Sequence, residues 1–221
     1  LAFAAVKSQP GKTKIVSDDL NFPTDLYVLQ GIIDQLGPDY KLELAQSKDG
    51  LTIDMHTLEK TIDENTALVV LSHVAFKSAY MYDMRAFTEL VHQKGALILW
   101  DLSHAAGAVI VELNKNNVDL AIGCTYKYLN GGPGSSAYLY VKKELQDQLT
   151  PPIWGWFGEI DPFAFELQYQ PAEGIKKFLV GTPPILSLEA IEPGLDIVIS
   201  AGMEKIRQKS ILLSEYLIFL F

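Results

Sequence analysis

Apolar positions along this chain fall into two alternating patterns, runs of adjacent residues and helically spaced sets, and that alternation predicts an α/β layer architecture. Lys14-Ile15-Val16-Ser17 reads as a short strand. After Phe22-Pro23, residues Leu26, Leu29, Ile32, Ile33 and Leu36 recur at helical spacing and stop near Gly37-Pro38, which puts Phe22 to Asp25 at a helix start. Tyr40 to Ala45 predicts a strand, Met55 to Ile62 a short helix, Ala67 to His73 a buried strand, and Tyr82 to Gln93 a helix ending at Gly95. Ala96-Leu97-Ile98-Leu99-Trp100 is then continuously apolar, as in a parallel strand covered on both faces, and Val118 to Thr125 predicts the next strand. Pro151-Pro152 and Pro183-Pro184 mark turns, and the apolar stretch Ile211 to Phe221 is helix-like but far short of a membrane span.

In such sheets ligands collect beyond the carboxyl ends of the strands. Ser72, Asp101, His104, Tyr126 and Lys127 all fall at or just past those ends. Asp101 and Lys127 close two successive apolar runs, pairing a carboxylate with an amine. Pyridoxal phosphate needs both: an amine to hold it as a Schiff base, and an anion beside its ring nitrogen to keep that nitrogen protonated. The ordinary alternatives are a turn-forming aspartate and an exposed, salt-bridged lysine. His73 reads as structural, His56 and His92 as exposed on helices, and Cys124 as a small buried hydrophobe. Asn130-Gly131-Gly132-Pro133-Gly134 lacks the Lys-Ser/Thr of a Walker loop and reads as the turn that positions Lys127.

Composition narrows the partners. With 221 residues, 48% hydrophobic, the chain can bury a large core, and a net charge of −9 without a basic stripe argues against nucleic acid. One cysteine and no paired metal-ligand spacing fit a reducing cytoplasmic compartment and no zinc. Leu1 to Lys7 is apolar but lacks a basic region before it, so it reads as the interior of a longer chain, not a signal peptide.

The segments Trp100-Asp101-Leu102-Ser103-His104-Ala105-Ala106-Gly107 and Cys124-Thr125-Tyr126-Lys127-Tyr128-Leu129-Asn130-Gly131-Gly132-Pro133-Gly134 closely resemble the kynureninases, pyridoxal phosphate enzymes of the aspartate aminotransferase-like fold. Asn21-Phe22-Pro23-Thr24-Asp25, Leu71-Ser72-His73-Val74, Gly155-Trp156-Phe157-Gly158 and Gly181-Thr182-Pro183-Pro184-Ile185 follow in the family's order from about Val16 onward. The resemblance implies a three-layer, mostly parallel large domain over 1–185, and over 186–221 the start of a connecting helix toward a small domain. It implies hydrolysis of L-kynurenine, with 3-hydroxykynurenine as a possible second substrate, by a homodimer with a shared site. Lys127 would hold the cofactor, Asp101 pair with its ring nitrogen, and Tyr126 contact phosphate and move a proton. Phe22 would stack on the ring, with Pro23, Thr24 and Asp25 in the same segment and Ser72 nearby. His104 would contact the cofactor or brace Asp101. Trp156 and Thr182 would reach phosphate from the partner subunit.

Two departures accompany the resemblance. Glu159 stands where the family commonly has a histidine, and the family's upstream phosphate-binding segment and downstream substrate-binding arginine have no counterpart in 1–221. The chain is therefore expected to be an internal part, truncated at both ends. A cysteine desulfurase or aminotransferase of the same fold, or a non-catalytic domain that keeps it, are the competing readings. A desulfurase needs a cysteine on a mobile loop, whereas Cys124 falls inside a predicted strand.

Overall fold

A computed structural model describes residues 1–221. In chain order the first elements are α1 (Ala2–Lys7), β1 (Lys14–Asp18), α2 (Pro23–Leu36), β2 (Lys41–Ala45), α3 (Met55–Thr61) and β3 (Thr66–Ser72). There follow α4 (Met84–Gln93), β4 (Leu97–Asp101), β5 (Leu120–Cys124), β6 (Ala137–Val141) and α5 (Lys143–Gln146). After two 3-10 turns, Trp156–Gly158 and Gly174–Phe178, come α6 (Ile185–Glu189), α7 (Glu192–Ala201) and α8 (Met203–Phe219).

The six strands form one sheet in the order β2-β1-β3-β4-β5-β6, with every pair parallel except β5 with β6. Successive strand side chains point to opposite faces, so an unbroken apolar run feeds two cores. Ile15, Leu68, Val70, Leu97 and Leu99 pack with α1 and Leu29 of α2 on one face. Val16, Val69, Leu71, Ile98 and Trp100 pack with Leu58 of α3 and Phe87, Leu90 and Val91 of α4 on the other. The result is the expected three-layer, mostly parallel α/β arrangement.

Helix starts follow local chemistry. The Asp54 side chain accepts from Thr57 N at 2.7 Å to cap α3, and Asp83 accepts from Ala86 N at 3.0 Å to cap α4, which moves that helix's start past the predicted Tyr82. Proline opens α2, where its missing N–H costs nothing.

Three details differ from the sequence reading, and a fourth agrees with it. β6 was not anticipated, because an antiparallel edge strand with alternating exposure shows no continuous apolar run. His92 is half-buried, not exposed, and its Nε2 lies 2.8 Å from Asp119 Oδ2, which also accepts from Ile98 N. Cys124 is half-buried at the end of β5, with Sγ 3.9 Å from the Ser103 carbonyl. The Ile211 to Phe221 stretch lies within α8 and its end, exposed throughout, and no helix is long and apolar enough to cross a membrane.

Candidate active site

Strand order reverses at β1, which lies between β2 and β3, so the crevice at the carboxyl ends of β1, β3 and β4 is where an open α/β sheet offers a ligand site. Ser72 ends β3, Asp101 ends β4, and the two are register partners. Asp101 is buried. Its Oδ1 accepts from Ser103 N at 2.9 Å and Ser103 Oγ at 2.6 Å, while Oδ2 lies 3.3 Å from Ser72 Oγ.

Asp25, in the first turn of α2, packs against Asp101. Burial, then the Asp101 charge, pushes its carboxyl up to about 7, opposed by Lys127. Its Oδ2 is buried with no hydrogen-bond partner. Neither carboxyl is ion-paired to any lysine, arginine or histidine. Two acids crowded together with little exposure favour a cationic donor between or beside them.

The sign of Asp25's effect on stability follows from proton uptake. Its carboxyl titrates near 3.8 when free and at about 7 in the fold, so the folded state holds the extra proton between those values. Stability is therefore lost as pH rises from about 4 to 7. Asp18, pushed to about 6 by burial, acts with the same sign. Asp25→Asn should flatten this slope in the cofactor-free protein, as read from urea unfolding at several pH values; an unchanged slope would remove Asp25 from the pair.

Lys127 follows β5. Its loop is closed by Asn130 N to the Lys127 carbonyl at 3.2 Å and Gly131 N to the Thr125 carbonyl at 2.9 Å. Two glycines let this loop seat. Gly107 has φ +86°, and a Cβ there would collide with the Tyr128 carbonyl. A Cβ on Gly194 of α7 would come within 2.8 Å of the Asn130 carbonyl oxygen. The Asp101 motif, the lysine loop and α7 thus fit only because both contact points lack side chains.

Lys127 Nζ lies 3.0 Å from His104 Nε2 and 5.7 Å from the centroid of the Phe22 ring. With the lysine donating, the imidazole proton sits on Nδ1, which is buried without a partner. Burial first, then the Lys127 charge, lowers the affinity of His104 for a second proton. The geometry sets His104 against the lysine, and no hydrogen bond joins it to Asp101, so it does not brace that carboxylate directly. The Tyr126 ring is half exposed, its centroid 5.6 Å from Lys127 Nζ.

Phe22, Asp25, Ser72, Asp101, His104, Tyr126 and Lys127 are therefore brought together. Pro23 and Thr24 are exposed on the first turn of α2. Trp156 packs on Phe157 and Phe163 in a separate aromatic group, and Thr182 is exposed before α6. A neighbouring cavity of about 770 Å³ is lined by Asp25, Asp101, Ser103, Cys124, Tyr138 and Lys176, among others. Sequence reasoning missed Tyr138, whose buried hydroxyl has no partner and is pushed up to about 12 by burial and by Asp101. It missed Asn21 as well, although that residue stands in the quoted Asn-Phe-Pro-Thr-Asp segment.

The chain belongs to the aminotransferase class-V family, whose model matches residues 2–219. Pyridoxal phosphate is the cofactor of that family, and the donors present fit it: unpaired acids for a protonated ring nitrogen, a lysine for an imine, and an aromatic face beside the amine. Within the family, the chain is similar to the kynureninase of Pseudomonas fluorescens, 46% identical over 209 residues. That match covers 95% of this chain and 49% of the relative, so the chain spans about half the length of the curated relatives it matches. The fold is similar to a cysteine desulfurase from Thermococcus onnurineus NA1, with TM-score 0.84 and 23% identity over 97% of this chain and 52% of that one. It is also similar to a C-DES variant with glycine covalently linked to its PLP cofactor, with TM-score 0.78 and 16% identity over 93% of this chain and 55% of that chain.

Proposed function

We propose that the protein this chain represents is a pyridoxal phosphate-dependent hydrolase that cleaves the β,γ carbon–carbon bond of L-kynurenine, giving anthranilate and L-alanine. The 46% identity to kynureninase over 95% of the chain carries this reading, and Asp101, His104, Tyr126 and Lys127, which stand in the kynureninase-like segments of the sequence, gather at one crevice. 3-Hydroxykynurenine is a second substrate of the same chemistry. The desulfurase reading lacks support here, since Cys124 faces the Ser103 carbonyl from a strand end instead of an exposed loop.

When bound, the cofactor supplies an electron sink that stabilises negative charge developing on the substrate. Asp101, its Oδ1 tied down by Ser103, would hold the ring nitrogen in its protonated form. Lys127 would hold the cofactor and move a proton, with His104 within hydrogen-bond reach of its Nζ. Phe22 provides the flat apolar neighbour. Water adds to the substrate's γ-carbonyl, and Tyr126, half exposed beside Lys127, delivers a proton to the departing fragment as the carbon–carbon bond breaks. Residues 1–185 serve as the cofactor-binding large domain and 186–221 as the start of a connecting helix. A cytoplasmic homodimer with Trp156 and Thr182 reaching the partner's phosphate completes the proposal.

The test is a substrate assay on the complete protein, watching anthranilate appear from L-kynurenine; turnover of cysteine with none of kynurenine would overturn it. In the same assay Tyr126→Phe should lower kcat roughly 10² to 10⁴-fold, the range of one general acid, with little change in cofactor affinity. Equal loss in both would reduce Tyr126 to a binding contact.

A further inference from the structure

We infer that Asn21 is a positioning residue: it captures the hydroxyl proton of Ser72 and so keeps Ser72 from donating to Asp101 Oδ2, the oxygen that would serve the cofactor's ring nitrogen. This rests on the reading of Asp101 given above.

The orientation of the Asn21 amide is fixed by backbone groups that have no choice of role. Phe22 N–H can only donate, and it points at Asn21 Oδ1 at 2.8 Å. The Val70 carbonyl can only accept, and it faces Asn21 Nδ2 at 3.4 Å, with Ser17 Oγ at 3.0 Å as the closer acceptor. Ser17 in turn donates to the same Val70 carbonyl at 2.7 Å. Flipping the amide would set N–H against N–H and carbonyl against carbonyl.

With Oδ1 fixed as an acceptor, Ser72 Oγ at 2.7 Å must donate to it. A serine has one hydroxyl proton. The 3.3 Å approach of Ser72 Oγ to Asp101 Oδ2 therefore brings lone pairs to that oxygen, not a hydrogen. Oδ1 meanwhile takes two donors from Ser103. Ser103 thus serves Oδ1, and the Ser72 hydroxyl does not serve Oδ2.

Burial makes the asymmetry matter. Asn21, Ser72 and Asp101 are 3%, 4% and 5% exposed, so the direction of each hydrogen bond among them is weakly screened. The chain of bonds links the carboxyl ends of β1 and β3 beside Asp101 of β4, and through Phe22 N it also sets the start of α2, which carries Asp25. An aspartate at position 21 would accept from Ser72 equally well. It would, however, place a third carboxylate by Asp25 and Asp101 and lose the donor to Ser17.

Asn21→Ala frees the Ser72 proton to turn toward Asp101 Oδ2, where it competes with the ring nitrogen. In the complete protein loaded with ¹⁵N-labelled pyridoxal phosphate, the ring ¹⁵N resonance should move toward the unprotonated position, and kcat should fall about tenfold, the size of one misdirected charge-assisted hydrogen bond. Adding Ser72→Ala should move the ¹⁵N resonance back, since no hydroxyl remains to compete. A purely structural role for Asn21 would lower thermal stability and leave the ring resonance where it was, and that outcome overturns the inference. If the unmodified protein binds no cofactor, the reading of the site itself fails instead. Neutron diffraction of the unmodified protein needs no variant: deuterium on Ser72 Oγ aimed at Asn21 Oδ1 supports the inference, and deuterium aimed at Asp101 Oδ2 overturns it.

Discussion

Lys127→Ala in the complete protein should abolish the visible absorption of the lysine-bound cofactor and nearly all turnover. Lys127 is the amine held 3.0 Å from His104 and over the Phe22 ring, so nothing in that cluster can replace it. Loss of its proton-moving role alone is worth roughly 10² to 10⁴-fold, and loss of the covalent attachment adds to this. The fold should survive, because Lys127 forms no ion pair and sits on a loop held by backbone bonds. Retained visible absorption in a folded variant would remove Lys127 from its assigned role.

Asp101→Asn separates holding the cofactor from activating it. The amide keeps the shape of the carboxyl and can still accept from Ser103, but it carries no charge to favour a protonated ring nitrogen. Covalent attachment through Lys127 should therefore persist, while every step that builds negative charge on the substrate slows. Removing one preorganised electrostatic partner of this kind costs roughly 10² to 10³-fold in kcat. The variant should also release Asp25. With the neighbouring charge gone, the Asp25 carboxyl should titrate nearer its ordinary value, readable by ¹³C NMR of the cofactor-free protein. Wild-type kcat in Asp101→Asn would take the residue out of the site.

The sheet was legible in the sequence for a physical reason. Strands covered on both faces must be apolar at every position, so β3 and β4 announced themselves, and their polar end residues Ser72 and Asp101 marked the ligand side. β6 was not legible by that rule, although Tyr138 and Tyr140 alternate in its five residues after Pro133-Gly134. The convergence of Asp101, His104 and Lys127 could be anticipated because each lies just past a strand end. Their couplings could not. Asn21 meets Ser72 across 51 positions, and Asp25 crowds Asp101 of β4 from helix α2, so both depend on packing that no local pattern encodes. His92 looked exposed because its helix is amphipathic, yet the start of β5 places Asp119 against it.

Borohydride reduction of the cofactor-loaded complete protein, followed by digestion and peptide mass mapping, tests the central assignment most directly, because reduction fixes the cofactor to whichever amine held it. Lys176 is the telling competitor, since it lines the cavity beside Asp25 and Asp101. A pyridoxyl group on Lys127 alone is the expected result; the group on Lys176, or on no lysine at all, would contradict it.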